Sequence, residues 1–123
     1  MEYRSLENWK YGLLEDESVY VDIPDDVFII TDFITLAHGY LTCKSCYAWD
    51  GASFIARDTP NIMRASLFHD ALCGLISEGL LDKKYRKYAD QLLRQIALED
   101  GMSKFRAWYV WVAVRAYSKF KGM

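Results

Sequence analysis

The hydrophobic pattern of this chain changes period near residue 50, and that switch limits its fold more than any other feature. Before it, apolar residues come in short β-branched and aromatic runs: Ser18–Ile23, Val27–Ile30, Phe33–Leu36 and Tyr40 to Cys46. Ile23-Pro24-Asp25-Asp26, Thr31-Asp32 and His38-Gly39 punctuate them. Short runs divided by turn residues predict a small antiparallel sheet of meander type. After the switch, apolar residues recur every three or four positions, the period of a helix with a buried face.

Three helices follow from that period. Thr59-Pro60 supplies a cap and then a proline at the first helical position, where its missing N–H costs nothing. Ile62, Ala65, His69, Leu72, Cys73 and Ile76 recur at helical spacing up to Gly79. A second helix starts at Asp82, carries Tyr85, Ala89, Leu92, Leu93 and Ile96, and ends at Gly101. Ser103 caps a third, with Phe105, Trp108, Tyr109, Val112 and Ala116 on one face. Trp111 and Val114 widen that stripe, which predicts packing on two sides. The expected architecture is α+β: a small N-terminal antiparallel β-sheet over about residues 10–50, then three packed α-helices over about 60–120. With 123 residues, 52% of them apolar, the chain has material for one core and is expected to form a single domain over residues 1–123.

Charge and cysteine content narrow the function classes. A net charge of −2 argues against nucleic-acid binding driven by phosphate neutralisation. The basic residues of the last third (Lys104, Arg106, Arg115, Lys119, Lys121) read first as a solvated helix face. The longest apolar stretch, Ala107–Val114, is bounded by Arg106 and Arg115 and falls far short of the roughly 18 residues of a membrane span. Met1-Glu2-Tyr3-Arg4 lacks the basic-then-apolar order of a signal peptide, and three cysteines do not form a disulfide framework. The expectation is a soluble protein of a reducing compartment.

Chemistry-bearing residues cluster around the switch. Trp49-Asp50-Gly51-Ala52-Ser53 ends the β half, and the loop to Pro60 leads directly into the helix that carries His69-Asp70. Asp50-Gly51 is first a turn signal. His69 lies on the apolar stripe, where a histidine is more often a hydrogen-bonded core residue than a ligand. Asp70 sits about 100° away from it around the helix and shares a face with Ser66 and Gly74. A helical glycine costs roughly 1 kcal/mol against alanine, so Gly74 suggests close approach of a backbone or ligand. Asp90 has Arg86 and Arg94 four residues to either side, the spacing of surface ion pairs. Turned inward, Asp90 would instead fix the tautomer of His69 and make its other nitrogen a better base. Cys43-Lys44-Ser45-Cys46 is a single pair; on a strand its two thiols face opposite ways, which argues against zinc or redox chemistry.

The runs Tyr47-Ala48-Trp49-Asp50-Gly51-Ala52-Ser53 and Met63-Arg64-Ala65-Ser66-Leu67-Phe68-His69-Asp70-Ala71-Leu72, followed by Arg86 and Ala89-Asp90, resemble domain-of-unknown-function family 1353. Gly101 and the Arg106-Ala107-Trp108-Tyr109 to Val114-Arg115 stretch look like the family's C-terminal helix, so the similarity covers about residues 18–118. That family occurs in tailed phages and prophages. The resemblance therefore implies a phage-encoded protein acting in the host cytoplasm or the virion, and it brings no activity with it. A helical His-Asp with a later helical aspartate is also similar to the catalytic helices of secreted-type phospholipases. That likeness implies His69 as base, Asp70 as calcium ligand and Asp90 as the group that orients His69.

Two readings remain, the first slightly ahead. In one, Asp50, Ser53, His69, Asp70 and Asp90 form a buried polar network in a structural or interaction protein. Trp108, Tyr109, Trp111 and Arg115 then face a protein partner, since such residues dominate interface hot spots. In the other, the chain is a metal-dependent hydrolase with His69 as general base, Asp90 and Ser53 completing the catalytic group, and Asp50 and Asp70 holding a divalent cation.

Overall fold

The computed structural model describes residues 1–7, 10–51 and 59–120. The chain divides into two compact units, residues 1–50 and 51–123, at the point where the hydrophobic period changes. Among the described residues the first unit holds seven strands and the second three helices, an α+β architecture.

The strands are β1 (Tyr3–Ser5), β2 (Tyr11–Leu13), β3 (Glu17–Tyr20), β4 (Ile29–Ile30), β5 (Ile34–Ala37), β6 (Tyr40–Cys43) and β7 (Ala48–Trp49). They form two antiparallel sheets rather than the single meander expected from the sequence. The larger has the order β3-β6-β5-β4. Its β5–β6 hairpin closes on His38-Gly39, whose φ angles of 51° and 78° fit the left-handed two-residue turn that matches strand twist. Period-two alternation sets the register: Ile34 faces Cys43 and Leu36 faces Leu41, and all four are buried. The smaller sheet, β1-β2-β7, brings the distant β7 onto the first hairpin. Tyr3, Tyr11 and the buried Trp49 hold it with ring centroids 5.7–5.9 Å apart, two of the three contacts edge-to-face. Strands of two or three residues are too short to show alternation, which is why this sheet left no periodic signal.

The helical unit consists of α1 (Pro60–Ser77), a single 3-10 turn at Lys83–Tyr85, α2 (Arg86–Glu99) and α3 (Lys104–Phe120). Helix α1 packs on α2, and α2 on α3. Both α1 and α2 stop at a glycine in the left-handed region, Gly79 at φ 77° and Gly101 at φ 96°. In each case the next residue returns its N–H to the last turn, Leu80 to Leu75 and Met102 to Ala97. Ser103 caps α3 by accepting the Arg106 N–H at 3.2 Å. The expected Thr59 cap is not formed. Its hydroxyl donates to Asn61 at 2.6 Å and accepts from Arg106 Nη1 at 2.7 Å, tying the start of α1 to α3. Arg64 grips Asp100 through two nitrogens at 3.1 and 3.2 Å, joining α1 to the end of α2.

Two expectations change here. The buried face of α3 is Ala107, Val110, Val114 and Ser118, while Phe105, Trp108, Tyr109 and Val112 are exposed. Small residues spaced three and four apart let α3 lie close to α2, and the aromatic stripe is left outside. Gly74 has nothing within 4 Å of where a Cβ would stand, so it marks no close approach in the described structure. Gly74→Ala is therefore expected to raise stability by about 0.5–1 kcal/mol, through helix propensity alone. A shift of the urea midpoint at constant m-value measures this; a loss of stability would mean that something does sit against this position.

Candidate functional site

Asp90 is fully buried, and its carboxylate is the point where the three helices meet. Oδ1 accepts from His69 Nε2 on α1 at 2.6 Å and from Arg86 Nε, one turn earlier on α2, at 3.3 Å. Oδ2 accepts from Arg115 Nη1 at 2.8 Å and from Ser118 Oγ at 2.9 Å, both on α3. The Ser118 hydroxyl has one proton and also lies 2.9 Å from the Val114 carbonyl; the charged acceptor makes the stronger bond. A carboxylate offers about four lone-pair positions, and four donors occupy them here. His69, Arg86 and Ser118 are themselves buried. An unpaired ion in such a place costs several kcal/mol, so each partner compensates the others.

The electrostatics follow from this packing. Burial alone would push the His69 imidazole toward its neutral form. Burial is the largest single influence, but the hydrogen bond to Asp90, the contact and charge of the Cys73 sulfur one turn away and the charge of Asp90 together exceed it and raise the pKa from 6.5 to about 9. Cys73 Sγ lies 3.7 Å from Nε2 and 3.9 Å from Nδ1. Burial likewise opposes ionisation of Asp90, but the bond and charge of His69, then Ser118 and Arg86, hold its pKa below the usual carboxylate value. At neutral pH the pair is thus imidazolium and carboxylate, with both ring nitrogens of His69 protonated.

Of the five residues singled out in the sequence, His69 and Asp90 meet directly. Asp90 turns inward, and its predicted surface partner Arg94 lies instead over the Trp111 ring, 5.5 Å from the centroid. Asp70 is half-buried on α1, and Asp50 is exposed at the end of the first unit. Ser53 lies outside the described residues. Among the described residues no three His, Cys, Asp or Glu side chains gather as a metal's ligands. The Cys43–Cys46 pair separates, Cys43 buried at the end of β6 and Cys46 exposed at φ 77°.

Sequence reasoning missed the roles of Arg115 and Ser118. Their signal was available: they stand three apart on the helix, flanking the small-residue stripe Ala107, Val110, Val114. The aromatic residues on the other face drew the assignment away.

An α+β protein with a buried Asp–His–Arg cluster joining three helices is the class that this fold and site define. A family model described as "Protein of unknown function (DUF1353)" matches residues 30–114, more than half of the sequence, and the chain belongs to that family. The matched span includes His69, Arg86 and Asp90 and stops one residue before Arg115. Comparison with curated proteins and with solved structures finds no match. No helix among the described residues is long and apolar enough to cross a membrane.

Two predictions test the cluster. Ser118→Ala removes one of four donors and should cost about 1 kcal/mol. Asp90→Asn removes the carboxylate shared by His69, Arg86 and Arg115 and should cost about 3–5 kcal/mol. Equal, small effects in urea melts would show that Asp90 is not the pivot. The second concerns pH. His69 binds its proton more tightly folded than unfolded, so its contribution is complete below pH 6.5 and is lost as pH rises to about 9. At about 1.4 kcal/mol per pH unit, the loss amounts to roughly 3 kcal/mol at most. Asp90 behaves oppositely, losing its contribution as pH falls below 3.8 through its lowered folded value. His69→Gln should flatten the alkaline slope; an unchanged slope in that variant would refute the assignment.

Proposed function

We propose that this chain is a binding protein, with a helical unit braced from inside by the Asp90 cluster and a face of α3 turned to a protein partner. The saturation of Asp90 carries this reading: all of its acceptor positions are used within the fold, and His69 spends Nε2 on it. A general base needs an empty lone pair near neutral pH, and an imidazolium has none. The exposed Trp108 and Tyr109, with the half-buried Trp111 and Arg115, supply the partner surface, being the residue types that dominate interface hot spots. The resemblance to phage and prophage proteins suggests a virion component or a host protein as that partner.

The 2.6 Å His69–Asp90 bond also favours a second reading. It is the arrangement by which a carboxylate orients a catalytic histidine, with Nδ1 as the working nitrogen once deprotonated. Asp70, on the same helix, would then supply a carboxylate for a divalent cation, in a metal-dependent hydrolase.

A thermal melt across calcium, magnesium, manganese, zinc and chelator separates the two. The binding reading predicts no metal-specific rise. It also predicts a partner retained in near-stoichiometric amount by the wild type and lost by Trp108→Ala/Tyr109→Ala at unchanged Tm. A rise of about 2.7 kcal/mol at a hundredfold excess over Kd, abolished by Asp70→Asn, would overturn it in favour of the hydrolase.

A further inference from the structure

The α2–α3 surface holds two open clefts of about 530 Å³ each, one on either side of Trp111. Their apolar lining is Leu98, Trp111, Val112 and Ala116. Their rims carry Lys87, Arg94, Arg115 and Lys119 against the single carboxylate of Glu99. That excess of four cations over one anion stands out on a chain whose net charge is −2. Arg115 gives one nitrogen to Asp90, and a guanidinium has five N–H donors, so the same side chain can serve the cluster and the cleft.

The two clefts share Trp111 and, taken together, have the dimensions and spacing of a helix seat. Lys87 to Leu98 covers twelve residues of α2, about 16 Å or three turns. Lys87 and Arg94 stand two turns apart on one rim, and Arg115 and Lys119 one turn apart on the other. Carboxylates four or seven residues apart on a partner helix repeat those same separations. Apolar residues between them would fall beside Trp111, the helix-in-groove mode of recognition. A nucleic acid would meet the cations but leave Leu98, Val112 and Ala116 without apolar contact.

We propose that the Trp111 groove between α2 and α3 binds an acidic amphipathic helix of a protein partner. This rests on reading the chain as a binding protein, and it names where the partner sits and what its chemistry is. Charge complementarity sets the approach and the register, and apolar burial around Trp111 holds the complex.

The test is selection of peptides of about 16 residues from a random displayed library on the full-length protein. Selected sequences should be rich in Asp and Glu, with apolar residues at helical spacing. They should bind about tenfold more weakly to Lys87→Glu/Lys119→Glu, whose side chains are exposed and outside the Asp90 cluster, and should weaken as salt rises. Peptides without acidic bias would overturn the proposal. So would peptides whose binding survives the double charge reversal but fails in Trp108→Ala/Tyr109→Ala; that outcome keeps the binding reading and moves the site. Peptides displaced by single-stranded oligothymidylate and lacking apolar spacing would assign the groove to nucleic acid. No enrichment, together with a metal-specific thermal rise, would remove both the groove and the binding reading.

Discussion

The helical unit depends on one buried carboxylate. Taking Asp90 out of water costs several kcal/mol, which is recovered only when its donors are all in place. Those donors come from α1, α2 and α3, so no pair of helices can satisfy Asp90 without the third. Such a network adds little to net stability compared with well-packed apolar residues. Its larger effect is on arrangement. A slip of one residue in α3 would rotate Ser118 and Arg115 by about 100° and leave the carboxylate half-satisfied. The Arg64–Asp100 and Arg106–Thr59–Asn61 contacts act in the same direction at the periphery, fixing where α2 ends and where α3 begins.

How far the sequence foretold this varies with the length of the element. The helices were legible because their signals are local: Pro60 at a first position, Gly79 and Gly101 beyond last turns, Ser103 as a cap. The β5–β6 hairpin was legible through His38-Gly39. The β1-β2-β7 sheet was not, since strands of two or three residues carry no periodicity and β7 pairs with β2 across more than thirty positions. The His69–Asp90 bond could be framed as one of two outcomes for Asp90. Nothing in one sequence decides which way a mid-helix aspartate turns when arginines stand four residues to either side. Arg86 followed it into the interior, and Arg94 stayed outside on Trp111.

The face of α3 was misread for a physical reason. Counting apolar bulk favours Phe105, Trp108, Tyr109 and Val112, because large side chains dominate any hydrophobic sum. Helices approach closely through small ones, and Ala107, Val110, Val114 and Ser118 supply them. Burying the small stripe is what brings the Ser118 hydroxyl within 2.9 Å of Asp90; an aromatic interface would hold the helices further apart. The exposed aromatics are then a consequence of satisfying the carboxylate, and they become available for another role.

Charge balance connects that interior to the surface. One carboxylate faces two guanidinium groups and, at neutral pH, an imidazolium. Arg115 extends this cluster outward, its side chain 19% exposed and lining the cleft beside Trp111. An anionic group arriving there would lower the energy of a charge already committed by folding, with no need to organise a new one. The donor that completes the core is thereby pre-positioned as a recognition element, because the rotamer that reaches Asp90 also fixes where the remaining N–H groups point. A lysine at this position could neutralise Asp90, but its single ammonium lacks the planar fork needed to serve two acceptors in fixed directions. The geometry of Arg115 is thus set by the fold's own electrostatic requirement, and the character of the surface it reaches is set with it.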